Sequence, residues 1–105
     1  MSLNNLSIRL SDAGDQDGAL DAIRQAVDIY RRLARANPAR FEPDLAMSLN
    51  NLSNRLSDAG DQDGALDAIR QAVDIYRRLA KTNPARFEPD LKLSLDKLDL
   101  ILSKQ

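Results

Sequence analysis

The sequence predicts an all-α fold, an α-solenoid of antiparallel helix pairs, on three observations. First, one unit occurs almost twice: residues 1–46 and 47–92 align without a gap at a period of 46, differing only at Ile8/Asn54, Arg35/Lys81, Ala36/Thr82 and Ala46/Lys92. Residues 93–105 then begin a third copy. Second, the apolar residues inside each unit recur at three- and four-residue intervals, the spacing of one face of a helix. Third, glycine and proline fall at the same places in both copies and divide each unit in two. A period of this length is the mark of a repeat array, so the three parts, 1–46, 47–92 and 93–105, are expected to form one domain.

Helix A of the second unit is predicted over residues 43–59. Leu45, Leu49, Leu52 and Leu56 share a face, and Pro43 and Asp44 suit a first helical turn, which tolerates proline and is stabilised by negative charge. Gly60 can take the left-handed conformation that closes a helix, and Asp61 can cap the next. Helix B then runs over 62–82. Asp67, Arg70, Gln71, Asp74, Arg77, Arg78 and Lys81 form its polar stripe, and almost everything else in it is apolar. So wide an apolar arc must be covered from more than one side, as between neighbours in a stack. Pro84 ends the helix by steering Asn83 out of helical conformation and removing a donor. The segment 89–105 is expected to be a solubilising cap helix that offers Leu91, Leu95, Leu98 and Leu102 to helix B. It carries Lys92, Asp96, Lys97 and Asp99 where a further helix would need small or neutral residues.

The turn "DAGDQDG" at residues 12–18, repeated at 58–64, has the acid and glycine content of a calcium loop. With Gly18 in the glycine position, however, the first ligand position holds Ala13 and the closing bidentate position holds Arg24, which repels a cation. A tight interhelical turn, with Asp15 as cap, accounts for it. No metal is expected.

Composition narrows function further. With no Cys and no His, a net charge of −1 and no block of like charge, disulfides, thiolate or imidazole ligation and the usual neutral-pH acid–base group are absent. The carboxylates sit in caps, turns and the solvent stripe, so neither catalysis nor a cofactor is expected. Arg31, Arg32, Arg35 and Arg40 cluster near the end of helix B, where cations complement the helix dipole. No aromatic residues interleave with them, which argues against nucleic acid. No run approaches the roughly 18 apolar residues of a membrane span, and no leader pattern opens the chain. The expectation is a soluble, cytoplasmic protein.

Leu49, Leu52, Ser53, Leu56, Gly60, Ala65, Ile69 and Ala72, with Leu3, Leu6, Ser7, Leu10, Gly14, Ala19, Ile23 and Ala26 in the first copy, resemble the tetratricopeptide repeat pattern. Serine stands where the family has glycine in helix A. Arg31 and Arg77 take its closing proline position, so helix B is about two turns longer. In this the chain is similar to the lengthened repeats of kinesin light chains, whose corresponding segment the "SLNNLS" of helix A resembles. The resemblance implies a right-handed superhelix and a non-catalytic scaffold that binds a peptide or protein segment in a concave groove lined by the A helices. Carried over by position, the groove candidates are Asn4, Met47, Asn50, Asn54, Asp58 and Leu93, with Met1 ahead of them; the asparagine amides are expected to hold an extended peptide backbone.

A second expectation concerns the ends. The place of Asn54 is taken by Ile8 and Leu100, and that of Arg55 by Ile101, which would leave apolar residues exposed at both ends. These three are candidates for self-association, as a homodimer or end-to-end stack. The near-identity of the units points to recent duplication or to an engineered copy, in which case there is no evolved ligand.

Overall fold

The computed structural model describes residues 2–104; Met1 and Gln105 lie outside them. The order is α1 (Leu3–Asp12), α2 (Gln16–Ala36), α3 (Pro38–Asp58), α4 (Gln62–Thr82) and α5 (Pro84–Ser103). Each helix packs on its neighbours in the chain, and α1 also touches α3. The result is an all-α solenoid in which α1, α3 and α5 are the A helices and α2 and α4 the B helices.

The repeated turn is built as its residues require. Gly14 and Gly60 close α1 and α3 with φ of +87° and +84°, a region that L side chains rarely adopt. Asp15 Oδ1 then accepts the Gly18 amide at 2.9 Å, and Asp61 Oδ1 the Gly64 amide at 2.8 Å, capping α2 and α4. A side chain at Gly18 or Gly64 would run into this capping carboxylate, which accounts for the second glycine of the motif.

The A helices begin earlier than expected. α3 starts at Pro38, not near residue 43, and α5 at Pro84, not residue 89. Only Asn37 and Asn83 leave helical conformation, with φ near −145° (−147° and −143°), as the residue before a proline is driven to do. Pro38 and Pro84 sit at the helix start, where the missing N–H is no loss. Pro43 and Pro89 are therefore interior, and each removes one intrahelical hydrogen bond. The gain is a turn that brings Phe41 and Phe87 onto the preceding B helix, with Arg40 and Arg86 stacked on their rings at 5.1 and 4.7 Å.

The core follows the repeat. Ala65, Ile69, Ala72, Ile75 and Tyr76 of α4 join Leu45, Ala46, Leu49 and Leu56 of α3 and Phe87 and Ile101 of α5 in one cluster. Between A and B helices, Ser7 Oγ donates to the Ala19 carbonyl at 2.6 Å and Ser53 Oγ to the Ala65 carbonyl at 2.8 Å. Both serines are fully buried; Asp99, their counterpart in α5, is exposed, no B helix among the described residues being packed on that side of α5.

Burial among these helices, with the carboxylates of Asp90 and Asp44 nearby, raises the Tyr76 phenol from 10.0 to about 12. A raised folded pKa contributes stability that is intact below pH 10 and lost as pH climbs through about 12, since the unfolded chain releases the proton first. The expected loss across that window is about 2–3 kcal/mol. Urea unfolding measured from pH 9 to 12 tests it: Tyr76→Phe should flatten this part of the alkaline slope.

Candidate peptide-binding groove

Neighbouring A helices are joined by side-chain hydrogen bonds. Asn4 Nδ2 donates to Ser48 Oγ at 3.0 Å, and Ser94 Oγ donates to Asn50 Oδ1 at 3.4 Å, so one residue pair recurs a repeat apart. Asn51 Nδ2 reaches Asn4 Oδ1 at 3.4 Å, and the Lys97 ammonium donates to Asn54 Oδ1. Burial, then the charge of Arg55, pushes the Lys97 pKa down. Arg55 is itself half-buried and paired with Asp58 at 3.5 Å. Between α3 and α5 these groups border a crevice of about 110 Å³ lined by Ser53, Asn54, Ser57, Lys97, Leu100 and Ile101.

This arrangement separates the sequence candidates. Asn50 and Asn54 have their oxygens engaged, leaving their Nδ2 groups as donors with no partner among the described residues. Beside them on the A layer Met47 is 46% exposed and Leu93 65%, and Asp58 is exposed. Asn4 is different: it is buried, and both ends of its amide are used inside the stack, so it joins α1 to α3 and presents nothing to a ligand. Of the end residues, Ile8 is 41% exposed and Leu100 57%, but Ile101 is only 3% exposed and belongs to the core. The expectation of an exposed Ile101 is corrected: the position faces inward in both helices, Arg55 filling it with its stem and Ile101 with its whole side chain. Of the residues joining the A helices, Ser48, Asn51 and Ser94 are not marked by the sequence, and Lys97, expected among the solubilising charges of the cap helix, is instead half-buried and bonded to Asn54. The available signal is that Ser94 keeps Ser48 in a third copy whose other retained residues are Leu95, Leu98, Leu102 and Ser103.

The tetratricopeptide repeat family model matches residues 1–37 and again 45–85. The chain belongs to the tetratricopeptide repeat family. Repeats of this family generally mediate protein–protein interaction, and the family is typically a non-catalytic scaffold. This tetratricopeptide array is of a long kind, with both helices of its second repeat running 21 residues. No curated protein and no solved structure matches the chain. No helix among the described residues is long and apolar enough to cross a membrane, and no group of three or more His, Cys, Asp or Glu side chains there is placed to hold a metal ion.

Proposed function

We propose that the chain is a non-catalytic scaffold whose A-helix surface binds an extended peptide segment of a protein partner. The observation that carries this is the pair of free donors, Asn50 Nδ2 and Asn54 Nδ2, one turn apart beside exposed Met47 and Leu93. Two amide donors fixed from behind by Ser94 and Lys97 are preorganised to take peptide carbonyls, and the apolar flanks offer contact for side chains. The near-identity of the repeats supports reading the array as recently amplified or engineered.

Selection of random peptides displayed on phage tests the reading. The chain is expected to enrich sequences with apolar residues whose affinity falls roughly tenfold or more for a Met47→Glu, Leu93→Glu variant. Absence of enrichment, or binding indifferent to that variant, removes the groove. A second reading, self-association through the terminal A helices, rests on the exposure of Ile8 and Leu100 at one repeat position. Light scattering on the 11.7 kDa chain separates the two, because only self-association makes the mass rise with concentration and fall again in Ile8→Asn, Leu100→Asn.

A further inference from the structure

Arg31 and Arg35 lie toward the end of α2, where cations complement the helix dipole, but Arg31 reaches across to α4. Its Nη2 donates to Gln71 Oε1 at 2.7 Å, and Gln71 Nε2 donates in turn to Asp67 Oδ2 at 3.1 Å. The Gln71 amide is thereby held with its oxygen toward the guanidinium. Arg31 is half-buried, yet the group that fixes it is neutral and leaves its charge uncompensated.

Two hollows adjoin Arg31 where α2 meets α3. In the first, of about 210 Å³, Asp28 stands with Arg24 and Arg31 beside Leu52. The second, of about 220 Å³, is lined by Arg31 and Arg35, with Ala34, Leu45 and Glu42. Glu42 Oε2 is 3.1 Å from Arg78 Nη2 and so is matched by that cation. Arg24, Arg31 and Arg35 form no ion pair among the described residues. Setting Asp28 against Arg24 and Glu42 against Arg78 leaves Arg31 and Arg35 as two uncompensated charges at one hollow. They are one turn apart on α2, close enough to grip a single group. Every residue of this site lies within 24–78, on α2, α3 and α4, inside the stacked repeats.

We propose that the hollow between Arg31 and Arg35 binds a phosphate monoester, carried on a phosphorylated serine or threonine of a partner polypeptide. Charge selects the ligand. Near neutral pH such a group carries about −1.5 to −2 and offers three strong acceptor oxygens, which two guanidinium forks can share. A carboxylate brings one charge and two oxygens, enough for a single fork. Ala34 and Leu45 give the hollow an apolar surface for the carbons that carry the ester. No residue of the A-helix groove takes part, so this site stands or falls separately from that one.

The probe is a short acetylated and amidated peptide with one phosphothreonine among glycines and alanines. Titrated at constant ionic strength into the isotopically labelled chain, it is expected to shift the Nε–H signals of Arg31 and Arg35 saturably, with affinity in the millimolar range. Affinity should rise several-fold between about pH 5 and about pH 7, as the ester gains its second charge near pH 6. Arg31→Gln, Arg35→Gln should weaken binding at least tenfold while leaving the far-ultraviolet dichroism unchanged. Arg31→Lys should weaken it several-fold, because a point charge loses the two-oxygen grip. Arg9→Gln, which removes a cation from α1, should leave it unaltered. The proposal is overturned by the absence of a saturable shift at tens of millimolar peptide, by equal affinity of the Arg9→Gln and double variants, or by a glutamate version of the peptide binding as tightly as the phosphothreonine one. Inorganic phosphate binding as tightly as the peptide would overturn it by making a free anion the occupant, and tighter binding of a short oligothymidylate would do so in favour of nucleic acid.

Discussion

Ser53→Asp is expected to cost more than about 3 kcal/mol and so to unfold the second repeat at moderate temperature. Ser53 is fully buried between α3 and α4, and its hydroxyl donates to the Ala65 carbonyl at 2.8 Å. A carboxylate there cannot donate. It would face a carbonyl oxygen with its charge desolvated, and its larger volume would push the helices apart. The chain supplies its own control, since Asp99 occupies the same repeat position in α5 and is exposed. Asp99→Ser should therefore change stability by no more than about 0.5 kcal/mol. Ser53→Ala, which loses only the hydrogen bond, should fall between, at about 1 kcal/mol. Thermal and urea unfolding of the three variants decide the matter, and similar effects for Ser53→Asp and Asp99→Ser would show that the A–B contact is not as close as the hydrogen bond indicates.

Legibility tracked the range of the interaction. The turn at residues 58–64 could be read because its needs are local: Gly60 supplies a backbone region closed to other residues, and Asp61 bonds an amide three positions on. The polar stripe of α4 was legible for the same reason, periodicity being a property of the segment itself. The start of α3 was misplaced because the segment 37–43 contains two prolines that both suit a first turn. Packing of Phe41 on the preceding helix, which no local rule reveals, favours the earlier one. The groove was less legible still. Asn4 resembled Asn50 by position, yet its amide is satisfied by Ser48 and Asn51, more than 40 residues away in sequence. Arg55 was read as marking a solvated position, whereas a long cationic side chain can bury its stem and reach its partner, here Asp58, at the edge.

The sharpest contrast in the chain lies between two adjacent residues near its C-terminal end, Leu100 and Ile101. Ile101→Asn is expected to destabilise by about 3 kcal/mol or more, because it removes a buried branched side chain and leaves an amide to be satisfied in the core cluster formed with α4. Leu100→Asn, one residue earlier and 57% exposed, should stay within about 0.5 kcal/mol. For a domain of this size the first corresponds to a fall in Tm of more than about 10 °C and the second to a few degrees at most. Comparable effects of the two would mean that the end of α5 is frayed and that neither residue is held by α4. The expected disparity instead makes α5 an integral part of the stack up to its last turn. Its exposed side carries Lys92, Asp96 and Asp99 where α3 has buried Ala46, half-buried Asn50 and buried Ser53, so charge stands in water where the repeat above makes neutral contacts.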